Sequence, residues 1–121
     1  MIAHVVLFQP KADVTAAEKA ALVSALQDAC RELPGLIDAH IGRAVDIGAN
    51  YRAGFGETTY EYVAVLEFID RNGVLTYLRR PEHEAVGALF WKTCEKTTIF
   101  DFEIAEVSSS AARLLANDQI E

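Results

Sequence analysis

Apolar positions recur along this chain in two rhythms, every second residue and every third or fourth. Ile2 to Phe8 is a short β-branched and aromatic run stopped by Gln9-Pro10, which predicts a first strand. Thr15-Ala16-Ala17-Glu18 has the spacing of a capping box, in which hydroxyl and carboxylate each satisfy a free backbone donor at a helix start. Leu22, Val23, Leu26, Ala29, Cys30 and Leu33 then predict a helix to about Leu33, with Glu18, Lys19, Gln27 and Arg31 outside and Pro34-Gly35 as its stop. Leu36 to Ile47 sets Ile37, Ala39 and Ile41 against Asp38, His40 and Gly42 and predicts a second strand. Gly48 to Thr58, with Tyr51 and Phe55 among glycines, reads as a long connection, a flap or a bent hairpin. Thr59 to Ile69 predicts a third strand, Arg71 to Arg80 a short helical stretch, and Pro81 to about Lys96 a second long helix with Val86, Leu89, Phe90, Thr93 and Cys94 inward. A last strand is expected over Thr97 to Glu106, and residues 107–121 as a tail, helical or disordered.

The order β-α-β-β-α-β is the ferredoxin-like, split βαβ arrangement. It predicts an α+β fold with an antiparallel sheet and both helices on one face, here a single domain over residues 1–106. In the third strand Tyr62, Ala64, Leu66 and Phe68 share one parity while Val63, Val65 and Ile69 share the other, and the first strand is also apolar on both. Two helices cover one face only. A homodimer with the sheets facing each other is the expected solution, and an open cleft is the alternative.

Composition narrows the classes. With 51% hydrophobic residues in 121, one core forms without a disulfide or metal. The formal charge of −7 and the lack of a basic run argue against nucleic acid as a partner. No apolar run approaches the ~20 residues of a membrane span, and no basic segment leads the opening apolar stretch, so a cytoplasmic protein without a membrane partner is expected. Cys30 and Cys94 lack metal-ligand spacing and read as core thiols.

His4-Val5-Val6-Leu7-Phe8, Leu33-Pro34-Gly35-Leu36, Tyr62-Val63-Ala64-Val65-Leu66-Glu67-Phe68, Tyr77-Leu78-Arg79-Arg80-Pro81-Glu82-His83 and Ile99-Phe100-Asp101-Phe102 together resemble the stress-responsive α/β-barrel domain family over about residues 2–106. The resemblance implies a dimeric α+β barrel of two ferredoxin-like subunits. That family mixes stress proteins without an established reaction with a branch of plant polyketide cyclases that close olivetolic-type rings without a cofactor. Carried over by position, the branch implies His83 as the acid/base histidine, Tyr77 as its partner, His4 as a pocket histidine, and Asp101 as the carboxylate supporting the catalytic histidine. Tyr62 stands where the branch has a further pocket histidine and Arg80 where it commonly has a histidine before the proline; both, with Phe90, are expected to contact substrate. Relatives that bind Mg²⁺ through carbonyls at the end of the first helix imply Cys30, Leu33 and Leu36 as a structural site here.

The residues themselves support acid/base chemistry. His83 falls near the third position of a helix opened by Pro81, where the peptide dipole disfavours imidazolium, while Asp101, Glu82 and Glu84 would act the other way and leave the ring titrating near neutrality. A phenol at Tyr77 can donate to a developing enolate oxygen. A plain packing or hydrogen-bonding role is open for each of these residues. His40 is expected to face solvent, and Trp91, Phe90 and Phe100 to pack the second helix on the sheet or line a ligand cavity. The expected function is a cofactor-independent small-molecule binder or enzyme, the step being aldol-type cyclisation or enol isomerisation of a polyketide-like or aromatic compound. The rivals are a non-enzymatic stress-associated dimer and, by fold analogy, a haem-degrading or quinol monooxygenase.

Overall fold

The computed structural model describes residues 1–55 and 60–116, excepting the side chains of Arg52 and Phe55. Its elements are β1 (Ile2–Pro10), α1 (Ala16–Cys30), β2 (Leu36–Arg43), α2 (Tyr51–Phe55), β3 (Tyr62–Phe68), α3 (Arg71–Arg79), α4 (Pro81–Thr93), β4 (Cys94–Glu103) and α5 (Ala111–Leu115). The sheet is antiparallel in the order β2-β3-β1-β4, the ferredoxin-like α+β fold.

Strand parity assigns the two faces. Ile2, His4, Val6 and Phe8 of β1 pair with Phe68, Leu66, Ala64 and Tyr62 of β3, and this face carries the core with Leu22, Ala25 and Ala29 of α1, Val74 and Tyr77 of α3 and Val86 of α4. Val5, Leu7, Val63 and Val65 point the other way, joined from β4 by Phe100 and Phe102, which are 45% and 49% exposed. Among the described residues, these side chains lie outside the helix-packed core cluster, on the opposite face of the sheet.

Several boundaries differ from the sequence expectation. Helix α1 stops at Cys30 rather than Leu33: Pro34 disfavours helical backbone at Leu33, and Glu32 turns out of the helix at φ 51°. Ala25 takes the buried place that the pattern gave Val23, which is exposed. Strand β2 ends at Arg43 because its partner β3 begins at Tyr62; a single further backbone bond, Ala44 N–H to the Glu61 carbonyl, closes the ladder. The connection expected over Gly48 to Thr58 holds the short helix α2, and its end, with the predicted start of β3 at Thr59, lies outside the described residues. Strand β4 starts three residues early, at Cys94, because pairing with Gln9 and Pro10 across a bulge draws it straight out of α4. The tail contains α5, and its last residues lie outside the description.

The capping box forms as expected: the Glu18 N–H donates to Thr15 Oγ1 and the Thr15 N–H to Glu18 Oε1, each at 3.1 Å. These bonds to its charged form hold the Glu18 carboxyl below its usual range. Gly35 works differently, at φ 84° and so close to α3 that an added Cβ would meet the Gly73 Cα at 3.2 Å. Urea unfolding should show Thr15→Ala losing about 1 kcal/mol through the lost cap. Gly35→Ala should lose more, about 2–3 kcal/mol, because strain and a backbone clash add.

Candidate functional site

Three aromatic side chains meet at the helix-covered face. His4 comes from the middle of β1, Tyr77 from the last turn of α3, and His83 from the first turn of α4, where Pro81 breaks the chain between the two helices. Tyr77 lies between the histidines, its ring centroid 5.6 Å from His4 and 4.8 Å from His83, edge-on to both. Phe68 backs it at 5.8 Å. His4 and Tyr77 are buried and His83 is half-buried.

The electrostatics separate their roles. Burial, and then the nearby His4, pull the His83 pKa below 6.5, so its ring is a neutral base at pH 7. The net shift is downward, set by burial and His4, with no carboxylate among its causes. Asp101 does not reach His83; it faces His4 across the β1–β4 ladder, with Oδ1 2.6 Å from His4 Nδ1. A carboxylate only accepts, so Nδ1 carries the proton and the ring is fixed in one orientation. Burial drives the Tyr77 phenol far above its ordinary value, with Cys30 adding in the same direction, so the hydroxyl stays protonated throughout the working range of a protein. Neither that hydroxyl nor the His83 ring nitrogens bond to any other described residue.

All three line a cavity of about 580 Å³ between α4 and the β1–β4 half of the sheet. Its inner wall is apolar, from Val6, Ala64, Leu66 and Val86, and Lys11, Trp91, Glu95 and Lys96 stand at its open side. The size falls within the roughly 300–1,000 Å³ of small-molecule sites, and an apolar pocket with a few converging polar groups is their usual make-up.

The other expected site residues scatter. Phe90 lines the cavity, but Tyr62 stacks on Phe8 at 5.4 Å with Lys19 over its other side, and it lines a separate cavity of about 240 Å³. Arg80 turns toward Glu82 at 3.5 Å, and its charge partly offsets the upward push of burial on the Cys30 thiol. Trp91, expected to pack, is 88% exposed, and Phe100 belongs to the uncovered face. His40 is exposed and pairs with Asp38. Of the three carbonyls expected to hold Mg²⁺, that of Leu33 accepts the Leu36 N–H at 3.3 Å in the turn after α1. Such a set of neutral oxygens without a carboxylate suits only weak cation binding. Sequence reasoning missed Val86, Gly87 and Cys94 as cavity wall; the signal for the first two was their spacing from His83, at three and four residues along one face of α4, and Cys94 follows directly at the start of β4.

No helix among the described residues is long and apolar enough to cross a membrane. Comparison with curated protein sequences gives no match. Solved structures share the fold: an Arabidopsis thaliana protein (TM-score 0.70, 20% identity, 88% of this chain and 98% of that one) and a dimeric ferredoxin-like protein of unknown function from Thermobifida fusca (0.66, 23%, 85% and 90%). So does a hydroxynitrile lyase from Passiflora edulis (0.69, 16%, 88% and 94%). At these identities the likeness concerns fold, and function has to be argued from the cavity. The stress responsive A/B barrel domain matches residues 2–104, nearly the whole of the β-α-β-β-α-β unit and every residue of the cavity wall, and the chain belongs to that family.

Proposed function

We propose that this protein is a homodimeric, cofactor-independent enzyme that moves a proton next to a carbonyl in an apolar or aromatic, polyketide-like compound. The observation that carries the reading is the His4–Tyr77–His83 cluster on the wall of a ligand-sized apolar cavity, with a neutral base and a fully protonated phenol side by side. His83 takes the proton from carbon, its burial favouring the neutral ring. The Tyr77 hydroxyl donates to the oxygen on which the enolate charge develops, in a site where few other dipoles compete. His4, held by Asp101, is a positioning residue that fixes the edge of the Tyr77 ring. The same steps serve an aldol-type ring closure or an enol isomerisation. A Mg²⁺ held by the Cys30, Leu33 and Leu36 carbonyls would brace the end of α1 and take no part in the reaction.

Dimerisation is supported by the uncovered face of Val5, Leu7, Val63, Val65, Phe100 and Phe102, and by the dimeric ferredoxin-like proteins from Thermobifida fusca and Jannaschia that share the fold. Native mass spectrometry should give a species at twice the 13.3 kDa chain mass, carrying a retained small molecule. A bare dimer would favour the non-enzymatic reading, and a monomer would remove the dimer.

Deuterium exchange at the carbon beside the carbonyl of a 3-oxoacyl thioester, followed by NMR, tests the chemistry. Wild type should exceed the buffer rate, and His83→Ala should lose about 100- to 10,000-fold of that rate with its circular dichroism unchanged. Because the base must be neutral, the rate should rise with pH through an apparent pKa below 6.5; because the Tyr77 pKa is raised, no fall should follow up to pH 10. Equal exchange by His83→Ala and wild type would remove the mechanism. Asp101→Ala leaves the buried His4 Nδ1–H without its acceptor and should cost about 1–3 kcal/mol in urea unfolding.

A further inference from the structure

Helix α4 contains a glycine that its fold does not require. Gly87 has no positive φ, and a Cβ added there would meet no atom within 4 Å. Gly73 is the contrasting case, because a Cβ at that position would come within 3.1 Å of the Phe68 ring. In a helix interior glycine is the least favourable residue short of proline, so a position with room for a side chain and ordinary helical backbone should hold something else. Gly87 is itself exposed and lines the cavity at its open side.

The helix face around it is continuous. His83, Val86, Gly87, Phe90 and Trp91 all line the cavity, following one another by three and one along the helix. His83 and Trp91 stand one turn to either side of Gly87, about 12 Å apart along the axis. Between them the missing Cβ leaves bare helix backbone. One end of this strip carries the base, and the other carries an indole that is 88% exposed, a surface to which a second ring can stack. Lys11 stands at the same open side and brings a positive charge to it in a chain of net charge −7.

We propose that Gly87 is the specificity-determining residue of this cavity, and that the strip from His83 to Trp91 takes a planar aromatic ring system laid flat against α4, its acidic substituent toward Lys11. The proposal rests on the reading of the cavity as a small-molecule site. A flat ring gains contact with bare backbone over its whole face, whereas a flexible chain bends around a side chain at that position and loses little. Gly87 therefore discriminates by shape, with polarity held equal.

Two probes of similar apolarity test it, 2-naphthoate (planar) and decanoate (flexible), titrated by NMR into the full chain. Trp91 is the only tryptophan, so its indole N–H is a single resonance that reports on the rim. Wild type should bind 2-naphthoate with a shift of that resonance. Gly87→Leu should weaken 2-naphthoate at least tenfold and decanoate less than threefold, with the thermal midpoint unchanged or raised and the mass by native spectrometry unaltered. Gly87→Ala should fall between the two. Unchanged 2-naphthoate affinity in Gly87→Leu, equal losses for both probes, or no binding of 2-naphthoate to wild type would each overturn the proposal. Loss of the native mass of the assembly in Gly87→Leu would do the same, by showing that this face is covered by a second copy. Failure here is separable from failure of the acid/base reading: deuterium exchange that depends on His83 would stand without the strip, and 2-naphthoate binding retained in His83→Ala would place the strip independently of the chemistry.

Discussion

Strand β1 sits between β3 and β4, and both of its faces are apolar, yet a single layer of helices has to serve it. That layer is centred on β1 and β3, where Val6, Phe8, Ala64, Leu66 and Phe68 form the floor of the core. Over the edge strand β4 the helices do not close down, and Ile99, whose parity points it toward them, remains 57% exposed. The cavity is this shortfall between α4 and β4. Its inner end is held by the central strand, and its open side by the end of α4 and the start of β4, which follow each other without a loop. A site on such elements is held more rigidly than one on loops.

A histidine on the core face of β1 is the costliest choice this floor contains. A buried polar ring needs a partner, and Asp101 supplies one from the neighbouring strand at a directly paired position. The carboxylate is itself half-exposed, so its charge keeps its hydration while its hydrogen bond reaches inward. Pairing His4 with Asp101 leaves His83 without a carboxylate of its own, and burial then sets its basicity unopposed. One anion supporting the nearer histidine thus separates the two rings: His4 is fixed in orientation, and His83 stays without a carboxylate partner among the described residues.

Periodicity carried most of the architecture, because period-two and period-3.6 patterns report directly on which faces meet water. The order of elements, the two-faced β3 and the capping box at Thr15 were all legible in this way. Element ends were not. They are decided by partners distant in sequence, as when Pro10 pairs with Cys94 and pulls β4 out of α4, or when the start of β3 cuts β2 short. The candidate site divides along the same line. His4, Tyr77 and His83 were singled out by the family resemblance and Phe90 by the inward stripe of its helix, and the regular elements that carry them bring all four to one cavity. The partner of Asp101 could not, since ladder register, and not spacing along the chain, brings it opposite His4. Trp91 follows Phe90 directly and so points some 100° away around the helix, a step that an inward-stripe reading blurred.

Tyr62 shows how one aromatic ring alters the space that this fold provides. Its ring stacks on Phe8, which in turn meets Phe90 edge-on at 4.9 Å. Phe90 faces the larger cavity, whereas Phe8 and Tyr62 face the smaller one, so the three rings form a partition between the two. A polar side chain at that place would extend the chemistry of the larger cavity toward β2. An aromatic one ends it, and Lys19 above the ring seals the outer side by a cation–π contact. His83 and Tyr77 thereby lie at one end of the helix layer, where they share a cavity wall with Val6 and Leu66. The open side of the cavity runs along α4, past Trp91 and Gly87.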